Sequence, residues 1–141
     1  MSSQSMEFFF DGQIYDAYNF VAGLVKRAKK SIVLIDNYID DSVLTLLDKR
    51  STNVSAVIYT KRIDRQLRRD IDRHNAQYPI IEVNAFNSSH DRFLCIDDDV
   101  FHIGASIKDL GRKWFGFSKM EILTSAELVE RINRGTVDAK T

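Results

Sequence analysis

The stretch SIVLIDNYIDDSVLTLLDKRSTNVSAVIYT, residues 31–60, decides the fold class. It opens with SIVLIDN (31–37), a short continuous run rich in β-branched residues, as expected of a strand covered on both faces. Asp41 to Arg50 then carries Val43, Leu44 and Leu47 at helical spacing, and VSAVIYT (54–60) is a second buried run. Strand, helix and strand in that order predict parallel pairing through a right-handed crossover.

Outward from there the same alternation continues, which marks an α/β domain with a mixed sheet flanked by helices. Gln13 to Lys30 places Ala17, Val21, Leu24 and Ala28 on one helical face, and Lys26, Arg27, Lys29 and Lys30 crowd its last turns, where the helix dipole favours cations. Asp64 to Tyr78 reads as a charged helix with Ile63, Leu67 and Ile71 inward, closed by Pro79, and IIEVNAF (80–86) as a third strand. RFLCID and VFHIGA then face each other across Asp97, Asp98 and Asp99 as a hairpin. A helical stretch over 106–113, a strand SKMEILT (118–124) and a helix SAELVERINRG (125–135) with an N-cap serine and a C-cap glycine complete the reading.

A chain of 141 residues is the size of one ordinary domain, and 44% hydrophobic and 11% aromatic residues suffice for a core. With no repeat, low-complexity tract or linker, residues 11–141 read as a single domain, and residues 1–10 as a disordered start or vector-derived junction. Twenty basic side chains balance twenty acidic ones, so any attraction to nucleic acid or membrane must come from local patches. Cys95 is alone and cannot form an intrachain disulfide, and no leader or long apolar span is evident, so the expected location is the cytoplasm.

Chemistry concentrates in SSHDRFLCIDDDVFHIGASIKDLGRK (88–113). Side chains two apart on a strand share a face, so His90 and Arg92 are expected to point together. An imidazole attacks phosphorus or shuttles a proton, while a neighbouring guanidinium holds phosphate oxygens through paired, charge-assisted hydrogen bonds. Ser106 and Lys108 add a hydroxyl and a cation, and Glu121 is a candidate to orient a histidine by accepting its second N–H. The plain alternative is that His90 caps a hairpin and Arg92 pairs with Asp109 or Glu121.

Other candidates each have a bland reading beside a functional one. His102 would line the same cleft or serve as a hydrogen-bonded strand histidine. His74 lies beside Arg65, Arg68, Arg69 and Arg73, a basic flank able to track a phosphate backbone, although Asp70 and Asp72 interrupt it as on a solvated helix face. Asp36, Asp40 and Asp41 suggest magnesium and Asp97 to Asp99 calcium, yet neither group has ligand spacing, and acidic loops commonly cap helices. One cysteine and three histidines form no zinc pattern, so no metal or cofactor is expected. KWFGF (113–117) would stack a base or complete a core.

HDRFLCID, with His90-x-Arg92 followed by four residues and Asp97, resembles the His-x-Lys-x4-Asp motif of the phospholipase D superfamily, arginine standing where lysine is usual. The family's Gly-Ser-x-Asn corresponds loosely to GASIK: Gly104 is at the expected distance, Ser106 is one residue late, and Lys108 replaces asparagine. Glu121 matches a downstream acidic position, and the resemblance runs from Gly12 to about Leu123. The chain is similar to the C-terminal domain of bacterial phage-antirepressor-type DNA-binding proteins. SSHDR is also similar to the phospholipase D-like C-terminal domain of MIT-domain proteins, which bind membranes or partners without evident catalysis.

The resemblance implies a phospholipase D-like mixed sheet and a metal-free phosphate site of His90, Arg92, Ser106 and Lys108, with Glu121 assisting and Asp97 and Gly104 structural. It implies a homodimer, because the chemistry uses two histidines and one chain supplies a single motif. The expected function is phosphodiester recognition, with nucleic acid as ligand and a fused or partner DNA-binding domain possible. The alternatives are a metal-independent phosphodiesterase or nuclease acting through a phosphohistidine at His90, and a lipid- or protein-interaction module.

Overall fold

The computed structural model describes residues 6–10, 12–89, 91–110, 115–121 and 123–140. Its strands are β1 (Met6–Phe9), β2 (Ser31–Ile35), β3 (Ser55–Thr60), β4 (Glu82–Ala85), β5 (Arg92–Ile96), β6 (Asp99–Ile103) and β7 (Phe115–Met120). Its helices are α1 (Ile14–Arg27), α2 (Asp41–Leu47), α3 (Arg65–Gln77) and α4 (Ser125–Lys140). The strands form one mixed sheet in the order β1-β7-β6-β5-β2-β3-β4. β2, β3 and β4 are parallel, as the β-α-β reading requires, while β5, β6 and β7 run antiparallel to their neighbours.

Alternation along the strands divides the sheet into two unequal faces. Ile32, Leu34, Ala56, Ile58, Leu94, Ile96 and Ile103 join the inner faces of α1, α2 and α3 in the main core. Val33, Cys95 and Val100 point the other way and pack with Leu128 and Val129 of α4. Ile58 and Leu34 are fully buried, so truncating either to alanine would cost about 2–5 kcal/mol.

Local chemistry ends the helices. Asp40 caps α2 by accepting from Ser42 N at 3.0 Å, and Asp64 caps α3 by accepting from Leu67 N at 2.8 Å. α1 stops at Arg27, short of the expected Lys30, because Ala28 turns extended and frees the next amides. Those amides meet Asp97, whose carboxylate accepts from Lys29 N at 3.0 Å, Lys30 N at 2.7 Å and Ser31 N at 3.1 Å. Asp97 itself lies at φ 54°, inside the β5–β6 turn, so one residue shapes the hairpin and ties it to the α1–β2 connection.

Four expectations about element bounds are corrected. Met6–Phe9 is an ordered edge strand against β7, not part of a disordered start. Gly116 permits that pairing, since a Cβ there would meet the Phe8 ring at 3.1 Å. β7 spans Phe115–Met120 and not 118–124, while among the described residues of 106–113 Ile107–Asp109 form one 3₁₀ turn and residues 111–113 lie outside the described residues. Thr124, not Ser125, caps α4, exchanging hydrogen bonds with Glu127, and the helix continues through Gly135 to Lys140. Among the described residues no helix is long and apolar enough to cross a membrane.

Candidate functional site

Strand direction reverses between β2 and β5, so the sheet has a switch point at the carboxyl ends of the parallel strands. In open α/β sheets that is where a crevice forms, because neighbouring connections leave in different directions. The residues after β2, after β3 and after β6 gather here, together with the start of β5.

At its centre is a buried carboxylate absent from the motif reading. Asp36 follows β2 and is fully buried. Ser106 Oγ donates to its Oδ1 at 2.9 Å, Ile107 N donates to Oδ2 at 2.8 Å, and Tyr38 N donates to Oδ1 at 3.2 Å. Burial pushes the Asp36 carboxyl above its usual value, opposed by these hydrogen bonds and by the charge of Arg92. Arg92 Nε donates to Ser106 Oγ at 3.0 Å and lies 3.6 Å from Asp36 Oδ1. The hydroxyl thus uses its single proton toward Asp36 and accepts from Arg92.

This arrangement aims the guanidinium. Nε is turned inward, and no described residue accepts from the terminal nitrogens of Arg92, whose side chain is 27% exposed. A planar fork held by one edge presents its other donors to a ligand at little further ordering cost. Arg92 and Ser106 therefore come together, and the expected ion-pair partners of Arg92, Asp109 and Glu121, are replaced by Asp36. Asp109 instead holds Lys108 Nζ at 3.1 Å.

Lys108 lies two residues beyond Ser106 and lines a cleft of about 500 Å³ with Asn37, Tyr38, Lys61, Arg62 and Asp64. Asn37 Nδ2 donates to Ser89 O at 2.9 Å, fastening the segment before β5 to the end of β2. Lys61 and Arg62 are exposed and form no ion pair with a described residue. His90 lies outside the described residues. Gly104 N donates to Gly116 O at 2.8 Å, continuing the β6–β7 pairing toward Ser106.

Several expected members stand elsewhere. Glu121 follows Met120, which is opposite Val100, whereas Arg92 is opposite Ile103. Strand register therefore carries Glu121 to the far end of the sheet, beside the Asp97 turn, and away from Arg92. His102 pairs with Phe93 and points to the other sheet face, where its Nε2 is 3.5 Å from Asp91 Oδ1. It does not line the Arg92 cleft. His74 is turned inward, its Nε2 2.7 Å from Asp48 Oδ1 and its Nδ1 2.8 Å from Asn75 Oδ1, so it leaves the exposed arginine flank of α3. Asp36 and Asp40 are occupied by protein donors, and among the described residues no group of three acidic, histidine or cysteine side chains is placed to hold a metal. Of KWFGF, residues 113 and 114 lie outside the described residues, and Phe117 is a core ring packed edge-on against Phe20 at 5.1 Å.

Asp36, Tyr38, Lys61 and Arg62 were not assigned to this site by their sequence pattern. The available signal was an aspartate ending an apolar parallel strand, a position that burial and a switch point make costly unless a partner is supplied.

No family model matches the chain, and no curated protein matches it. Among solved structures it resembles TrmBL2, described as an archaeal chromatin protein with a novel mode of DNA binding, at TM-score 0.58 and 15% identity over 95% of this chain and 50% of that one. It resembles phosphatidylserine synthase from Haemophilus influenzae Rd KW20 at TM-score 0.60 and 15% identity, covering 84% of this chain and 34% of that one. NucT from Helicobacter pylori aligns at TM-score 0.57 and 16% identity, over 96% and 92% of the two chains. The chain thus has the phospholipase D-like α/β fold, and it spans half the length of the chromatin protein and about a third of the synthase.

Proposed function

We propose that this chain is a phosphodiester-recognising phospholipase D-like domain that binds nucleic acid as a cytoplasmic homodimer. The observation carrying this reading is Arg92: its Nε is fixed through Ser106 to buried Asp36, no described residue accepts from its terminal nitrogens, and the same Asp36 holds Tyr38 N, whose residue lines a cleft with Lys108, Lys61 and Arg62. Charge-assisted bonds from such a fork suit phosphate oxygens. The DNA binding named for TrmBL2 supports nucleic acid over lipid, and agrees with the antirepressor-type resemblance, in which a separate DNA-binding domain accompanies this one. Support for the dimer is the single motif per chain, together with half-buried Tyr59, Phe93 and His102 on the sheet face that carries α4.

A second reading is a metal-independent phosphodiesterase with His90 as nucleophile. It is favoured by the His90-x-Arg92-x4-Asp97 spacing, since Asp97 anchors the hairpin whose first strand begins with Arg92.

Titration of a labelled single-stranded oligonucleotide tests the first reading. Wild type should bind with an affinity that falls steeply as salt rises, and Arg92→Ala should bind at least tenfold more weakly. Unchanged binding by Arg92→Ala overturns the site, and preference for anionic vesicles transfers the function to a lipid module. EDTA-resistant cleavage of the oligonucleotide, abolished by His90→Ala, would establish the second reading.

A further inference from the structure

The cleft lined by Lys108 and the residues after β2 and β3 holds a feature that phosphate recognition does not use. Tyr38 is 53% exposed, although it follows a buried strand and lies two residues from the fully buried Asp36. Its backbone is fixed, because Tyr38 N donates to Asp36 Oδ1 at 3.2 Å, so the carboxylate that supports Arg92 through Ser106 also sets the tyrosine. Tyr38 lines the cleft of about 500 Å³ with Lys61, Arg62 and Lys108. That volume is within the range of small-ligand sites. An aromatic side chain half in solvent, beside Lys61 and Arg62, which pair with no carboxylate among the described residues, has a π-face for a base and charges for the phosphates on either side of it.

We infer that Tyr38 with Lys61 and Arg62 forms a nucleotide subsite that takes one unpaired base of a single strand whose neighbouring phosphate is held by Arg92. The inference rests on the phosphodiester reading above and adds to it a strand state. A base inside a duplex has both faces covered by its neighbours, so it cannot stack on Tyr38 unless it is unpaired. Three carboxylates share the cleft wall: Asp40 and Asp64 cap α2 and α3, where the helix N-termini offset part of their charge, and Asp70 accepts from Gln66 Nε2 at 3.0 Å.

The test compares three labelled probes of equal length: a thymidine oligonucleotide, the same sugar-phosphate chain lacking bases, and a duplex. Wild type should prefer the intact single strand to the base-free strand by about tenfold or more. Tyr38→Ala should remove that preference while leaving base-free binding and melting temperature unchanged, and Tyr38→Phe should keep it. Lys61→Ala with Arg62→Ala should weaken both single strands alike. Equal wild-type binding of intact and base-free strands, or of single strand and duplex, would overturn the subsite. So would a Tyr38→Ala protein that binds like wild type while Arg92→Ala does not, and in that case the phosphate reading survives. Failure of wild type to bind any of the three probes would overturn both.

Discussion

Ser106 Oγ accepts from Arg92 Nε at 3.0 Å and at the same time donates to the fully buried Asp36, which makes the serine the only link by hydrogen bond between clamp and anchor among the described residues. Ser106→Ala should leave Asp36 short of a donor and Arg92 unguided. We expect a stability loss of about 1–3 kcal/mol and several-fold weaker oligonucleotide binding, measured by thermal melting and anisotropy on one sample. Asp36→Asn should behave similarly, because its amide would direct a donor at the Ile107 N–H. Retained affinity in both variants would mean that Arg92 needs no support from this network.

Arg92→Lys separates charge from shape. A lysine keeps the cation but loses the Nε contact to Ser106, so it should bind phosphate more tightly than Arg92→Ala and less tightly than wild type. If the guanidinium's bulk holds phosphorus out of line with His90, the lysine variant should also show the higher phosphodiesterase rate. Binding no better than that of the alanine variant would contradict the clamp assignment.

Asp97 should govern acid stability. Desolvation raises its pKa, but the amides of Lys29, Lys30 and Ser31 and the Lys30 charge together outweigh that and hold it below the usual 3.8. A folded pKa below the unfolded one contributes stability above the unfolded value, which is lost as pH falls through the folded value. The melting-temperature gap between wild type and Asp97→Asn should therefore be largest near neutral pH and shrink below about pH 4. A gap independent of pH would show that the charge of Asp97 does not matter.

Cys95 should be inert while the protein is folded. Burial pushes its thiol up to about 11, a hydrogen bond involving Ser125 opposing it, and the side chain faces the layer beneath α4. A thiol reagent at pH 8 should label it only after denaturant is added. Rapid labelling of native protein would indicate that α4 leaves that face readily.

His74 should matter to stability and not to binding. Its ring joins α3 to Asp48, just past α2, and stacks on Tyr78 at 5.5 Å. His74→Ala should cost about 1–3 kcal/mol by removing the ring's hydrogen bond to Asp48 and its packing on Tyr78, with oligonucleotide affinity unaltered. Lost affinity at full stability would restore it to the basic flank.

Light scattering should report twice the 16.2 kDa chain mass at micromolar concentration. A monomer that still binds the oligonucleotide would remove the shared-site arrangement and leave a one-chain clamp.

The sequence by itself determined the α/β alternation, the parallel pairing of β2 with β3 and the β5–β6 hairpin. Each follows from local burial periodicity or from residues joined by a short turn, where few chain paths are possible. Only the tertiary structure decided that Ser106 meets Arg92, that Asp36 is the partner of Arg92 across 56 residues of chain, and that Tyr38, Lys61 and Arg62 line one cleft with Lys108. Those contacts depend on which strand is inserted beside β2, a choice made by packing of the whole sheet. Glu121 shows the converse: its acidic identity suggested a site role, but a few positions of strand register moved it to the opposite end. His74 and His102 differ in the same way, because whether a side chain faces core, cleft or solvent is settled by the neighbour that covers it and not by its own residue type.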